Sequence, residues 1–156
     1  MRLVYFTAFA FVSLALGPAL AHLFELPNKI DLPGAAYLTV QGIYRGWALF
    51  GIVVFGALFS TLGLAVALRH RPRPRLWALV AFLAIAGTQA VFWTFTYPTN
   101  QATENWTVMP ANWELLRAQW EYSHAASAVL NITAMMALVA SVLAWRPGAG
   151  GEAGEA

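Results

Sequence analysis

The sequence predicts an all-α integral membrane protein, a four-helix bundle with both termini in the cytoplasm. Three observations predict it. Of the 156 residues, 60% are hydrophobic and 10% charged, against roughly 45–50% and about 25% in a soluble domain. Four apolar stretches each reach the roughly 20 residues needed to cross a hydrocarbon core. The basic residues gather at one set of helix ends. A chain this poor in charge cannot cover a soluble core of its own size and needs an apolar solvent.

The length suits one domain. Residues 1–146 read as the bundle and 147–156, all Pro, Gly, Ala and Glu, as a disordered tail. The first span covers about 3–24, interrupted by Gly17 and Pro18, and Leu26-Pro27-Asn28 reads as its stop. An outer loop at 25–45 follows, holding Glu25, Lys29, Asp31 and Arg45. Within it Tyr37, Gln41 and Tyr44 recur at helical spacing, which predicts a short amphipathic helix at the membrane interface. The second span covers about 46–68 without a charge. Glycines 42, 46, 51, 56 and 63 there read as close helix contacts.

The segment 69–75 carries four arginines, one histidine and no acid, so it belongs in the cytoplasm. Arg2 and Arg146 fall on the same side. The third span covers about 76–97, and Tyr97-Pro98-Thr99-Asn100 reads as its end. The second outer loop covers 98–121, with Trp106, Trp113 and Trp120 suited to an interfacial belt. The fourth span covers about 122–145, its helix starting earlier, near Trp113.

Composition excludes several chemistries. Without cysteine there is no disulfide framework, thiolate zinc site or iron–sulfur ligation. The basic residues are accounted for by topology, so nucleic acid is not an expected partner. Neither a Gly-rich phosphate loop nor a Ser-His-Asp set is present. The Asn-x-Thr triplets at 105–107 and 131–133 read as chance. Ala19-Leu20-Ala21 has the form of a signal-peptidase site, and cleavage there would leave His22 as an amino-terminal copper ligand. The stretch is long for a signal peptide, and keeping it completes the bundle.

Ionisable groups in a membrane cost a few kcal/mol each and ask for a reason. His22 and Glu25 close the first span, three apart on one face; Glu121 and His124 repeat the spacing in the fourth. If the two helices are neighbours, His22, Glu25, Glu121 and His124 form a candidate metal set for iron, copper or zinc. A bis-histidine haem through His22 and His124 is a variant. The plain alternative is that Arg45 and Arg117 pair with Glu25 and Glu121 without any ligand. Arg117, Glu121, His124, Ala128 and Asn131 form one stripe facing the bundle interior. Gln89, Trp93, Thr96 and Asn100 answer it on the third helix. Together they outline an outward-opening substrate pocket of Gln89, Trp93, Trp120 and Asn131, with Phe92 and Tyr122 in its wall, suited to a flat hydrophobic molecule. The alternative for Gln89 and Asn131 is a simple interhelical hydrogen bond.

Pro98-x-Asn100, followed about twenty residues on by Trp120-x-x-x-His124 in a four-span chain, resembles the anthrone-oxygenase-like membrane family. Most of its members are bacterial and of unknown function. The likeness in spans covers nearly the whole chain, and the motif covers 98–124. It implies oxidation of a polycyclic anthrone by molecular oxygen with no dedicated organic cofactor, at a multi-pass protein of the bacterial inner membrane. It also implies site roles for Asn100, Trp120 and His124. Ser127 stands where the family often has arginine, so the fold carries over better than the activity. On the residues, His124 suits a general base near neutral pH. Glu121 or Glu25 would orient it, and Asn100 or Arg117 would hold an enolate oxygen. Three functions stay open: an oxygenase or oxidoreductase on a hydrophobic substrate, a metal- or haem-binding subunit without turnover, and a structural or helper protein. The oligomeric state is not read from the sequence.

Overall fold

In the computed structural model, which describes residues 1–145, four long apolar helices form the bundle. The elements are α1 (Arg2–Lys29), α2 (Gly34–Gln41), α3 (Gly51–Ala67), α4 (Pro72–Val91), α5 (Tyr97–Ala102) and α6 (Trp113–Leu143). Single 3₁₀ turns occupy Gly42–Tyr44 and Trp47–Phe50, and a π-helical turn at Phe92–Thr96 joins α4 to α5. No strand occurs among the described residues. Arg146 and the tail lie outside them.

The helices pack in a ring in which α1 contacts α3 and α6, and α4 contacts the same two. The core is built largely of alanine: Ala8, Ala57, Ala78, Ala81, Ala134 and Ala137 meet Val12, Leu64, Ile85 and Leu138. Small side chains let backbones approach where lipid, as apolar as leucine, supplies no hydrophobic drive. Larger residues such as Leu3, Phe6, Phe24, Ile52, Leu83 and Met136 are exposed on the outside, the face a membrane chain turns to its solvent. At one end Tyr5 meets the Ser141 hydroxyl at 2.9 Å, and Arg71 lies 4.8 Å over the Trp145 ring. Both ends of the described chain and the arginine segment therefore share one end of the bundle.

Two helices run past their expected stops. Pro27 sits inside α1, which continues to Lys29, because a proline in a last turn removes only one backbone bond. Pro98 lies near the start of α5 and does not end the third span. The π-helical turn just before it absorbs the missing N–H, and the Phe95 carbonyl is served by side chains, Gln119 Nε2 at 2.9 Å and Thr99 Oγ1 at 2.9 Å. Of the five glycines expected at helix contacts, only Gly56 is one: a Cβ there would stand 2.3 Å from the Phe11 ring. Gly46 instead makes a left-handed turn at φ +87°.

Candidate functional site

The end of α1 presents His22, Glu25 and Lys29 at spacings of three and four, hence on one face. That face meets Trp120, Glu121 and His124 of α6, so the two helices are neighbours where the sequence needs them to be. The centre is Lys29, 3% exposed, which reaches Glu25 Oε1 at 2.9 Å and Glu121 Oε1 at 3.2 Å. Its ammonium stands 4.6 Å from the Trp120 ring centroid and 4.7 Å from that of Tyr44. Two carboxylates and two aromatic faces repay the desolvation of one buried cation.

The segment after α1 folds back over this cluster. Tyr37, fully buried, donates to Glu121 Oε1 at 2.7 Å and accepts from Gln41 Nε2 at 2.8 Å. Tyr44 donates to Glu25 Oε1 and accepts from Lys29 Nζ at 3.0 Å. The helical spacing of Tyr37, Gln41 and Tyr44 is real, but the face they share is buried in the cluster, and α2 caps the bundle end. Burial, with the charge of Glu121 beside it, holds the Tyr37 hydroxyl far above its ordinary pKa; burial and the bond to Glu25 do the same for Tyr44. Both phenols therefore remain donors.

Glu25 also takes His22 Nδ1 at 2.9 Å. A carboxylate only accepts, so Nδ1 carries the proton and neutral His22 keeps its lone pair on Nε2. The His22 ring stacks on His124, centroids 4.1 Å apart and planes at 23°. His124 packs equally close to Trp120, whose Nε1 donates to Asn100 Oδ1 at 2.9 Å.

Between α5 and α6 the chain takes three consecutive left-handed residues, Glu104, Asn105 and Trp106, at φ 47°, 56° and 63°. Such residues cost about 1–2 kcal/mol each. Asn105 N–H on Asn100 O at 2.7 Å and Trp106 N–H on Thr103 Oγ1 at 3.1 Å hold the turn. It delivers Trp106 against Tyr37 at 4.9 Å and Trp120 at 6.3 Å. Around Tyr37, the buried Trp106 Nε1, Gln41 Oε1 and Glu121 Oε2 have no partner among the described residues. Unpaired buried polar atoms cost about 1–3 kcal/mol each and concentrate at functional sites.

His22, Glu25, Glu121 and His124 thus meet, but not as ligands. Among the described residues no group of three or more His, Asp or Glu is placed to hold a metal ion. The Lys29 ammonium occupies the position between the carboxylates that a metal would need. Rings stacked face to face leave no room for a porphyrin, which needs two imidazoles edge-on to an iron between them. The expected ion pairs differ too: Arg45 is exposed, and Arg117 donates to Leu32 O at 2.7 Å and stacks 4.6 Å from Trp113. Glu121 bonds Tyr37 and Lys29 rather than orienting His124.

Of the four residues expected to line a pocket, only Trp120 joins the cluster. Asn131 is buried on the predicted stripe, yet its amide donates to Ser127 O of its own helix at 2.9 Å. Gln89 reaches only Thr88 Oγ1, at 3.4 Å. Trp93 is 56% exposed, and Tyr122 is exposed as well. The inward face of the third span runs through Ile85, Thr88, Thr96, Thr99 and Thr103 instead, with Thr96 bonded to Ser123 at 2.8 Å. The concavity nearest the cluster is a flank groove of about 380 Å³ lined by Pro18, Gly46, Trp47, Leu49 and Phe50. Its Trp47 ring lies 6.0 Å from His22 and 5.1 Å from Tyr44. Comparison with family models, curated proteins and solved structures finds no match to this chain.

Proposed function

We propose that this membrane protein performs acid–base chemistry on a lipid-soluble ring compound, in an oxygenase of the anthrone-oxidising kind. The observation that carries the reading is the Glu25–His22 pair, with Nδ1 held at 2.9 Å and Nε2 left as a base. A carboxylate that fixes an imidazole tautomer in this way serves general-base catalysis. His22, rather than His124, is then the base, and His124 supports it by stacking. The oxygenase class itself rests on the resemblance carried by Pro98, Asn100, Trp120 and His124.

The chemistry balances without a further reductant. His22 Nε2 takes a proton from the ring CH₂ and leaves a carbanion delocalised as an enolate. The carbanion gives two electrons to oxygen, forming a C–O bond, and the peroxide takes the proton back from His22. Loss of the second C–H proton with O–O cleavage leaves a ketone and water. A substrate dissolved in lipid would approach through the flank groove beside Trp47. The positive-inside rule puts the arginine end in the cytoplasm and the cluster on the far side of a cell membrane.

A structural role for the cluster has one observation in its favour, since Lys29 neutralises both carboxylates without any ligand. Oxygen uptake by detergent-purified protein with a tricyclic anthrone separates the two. The oxygenase reading expects uptake that falls at least about 100-fold in His22→Ala, the lower end of what a general base contributes. Equal uptake by the variant, or none by the parent chain with any such substrate, overturns it.

A further inference from the structure

We propose that the opposite end of the bundle holds a specific site for the phosphate of an anionic phospholipid, in the groove between the start of α4 and the end of α6. The groove is about 230 Å³ and is lined by Arg71, Pro72, Arg73, Pro74, Ala144 and Trp145. Every acidic residue described, Glu25, Asp31, Glu104, Glu114 and Glu121, belongs to the other end. Arg2, Arg69, Arg71, Arg73 and Arg75 are exposed here, so the groove lies in an uncompensated positive field.

The walls are fixed. Ser141 Oγ donates to Pro74 O at 2.8 Å and ties the first turn of α4 to α6, while Tyr5 meets the same hydroxyl at 2.9 Å. Tyr5 also packs edge-on to Trp145 at 6.5 Å, and Arg71 lies over that indole at 4.8 Å. Arg71 is extended, at φ −128° and ψ 83°, as a residue before proline must be. Its guanidinium is thus pinned in the groove by ring and backbone together. In the first turn of α4, Pro72 and Pro74 have no N–H, so the Arg73 amide is the donor offered at the positive end of a 20-residue helix.

Planar guanidinium forks match phosphate oxygens in pairs. The occupant is a lipid rather than a free anion because the groove lies between the ends of two membrane spans, at the level where headgroups sit. The indole of Trp145 offers the adjoining acyl–glycerol region an amphipathic wall.

The test uses the full chain in neutral detergent and reads thermal unfolding as lipid is titrated. Phosphatidylglycerol raises the midpoint of the parent chain, and phosphatidylcholine or millimolar inorganic phosphate does not. Arg71→Gln with Arg73→Gln weakens the apparent phosphatidylglycerol affinity roughly thirtyfold, at about a factor of five for each arginine removed. Arg69→Gln with Arg75→Gln, which removes the same charge outside the groove, changes it less than about threefold. Equal losses in the two double variants would show diffuse attraction instead of a site. An equal response to phosphatidylcholine, or an equal shift with inorganic phosphate, would likewise overturn the proposal.

Discussion

Lys29 decides the electrostatics of the cluster. It is the cation shared by Glu25 and Glu121, and both carboxylates accept further donors only because it is there. Removing one partner of a buried pair leaves the other charged and uncompensated, at a cost of about 3–5 kcal/mol. Lys29→Met should therefore lower the unfolding midpoint in detergent sharply. Lys29→Met combined with Glu121→Gln should recover part of that loss, which a double-mutant cycle would measure. A single variant as stable as the parent chain would mean that the charges are not buried together. Lys29 was hidden in the sequence by its neighbour: with Pro27 read as a helix stop, it falls into a loop. The signal that finds it is the 22–25–29 spacing, which continues the His22–Glu25 face by one more turn. The meeting of His22, Glu25, Glu121 and His124 was legible from spacing alone, because two i, i+3 pairs at one end of a bundle have few places to go. That they pair internally rather than around a ligand was not legible, since it depends on Lys29, Tyr37 and Tyr44 arriving from a segment whose path the pattern leaves open.

At the scale of elements, the left-handed turn after α5 is the most strained part of the site. Asn tolerates that region better than other side chains, whereas a β-branched residue does not. Asn105→Val should lower stability by about 1–2 kcal/mol, and Asn105→Gly should leave it unchanged or raise it slightly. Chemical denaturation of the two variants checks the sign of each. Opposite signs would place the strain elsewhere. The same region shows how element boundaries escape a sequence reading. Trp113 was legible as the start of α6 because the apolar stripe begins there. The end of the third span was not, because Pro98 ends a regular α-helix but not one preceded by a π-helical turn and served by Gln119. That extension also explains Trp93. Extrapolating one helical register from Gln89 to Asn100 assumes 3.6 residues per turn, and the wider turn at 92–96 breaks it, so threonines rather than Gln89 and Trp93 face α6.

At the scale of the whole molecule, the chain is polarised. One end gathers arginines around a groove, and the other buries carboxylates, phenols and imidazoles under α2. The four-span architecture was fully legible, since length and hydropathy decide it. The side of the membrane follows from charge alone and is open to a simple check, because the natural chain has no cysteine. His70→Cys should react with an impermeant maleimide only after the cytoplasmic face is opened, and Asp31→Cys from the outside of intact cells; the reverse pattern would invert the topology. What the bundle achieves as a whole is to hold one imidazole, that of His22, between Glu25 and His124 with its second nitrogen free. Nitrogen-15 NMR of histidine-labelled protein in detergent tests this most directly. The account predicts that neutral His22 carries its proton on Nδ1 and that Glu25→Gln disturbs this signature while the His70 signal stays unchanged. A His22 protonated on Nε2, or indifferent to loss of the Glu25 charge, would contradict it.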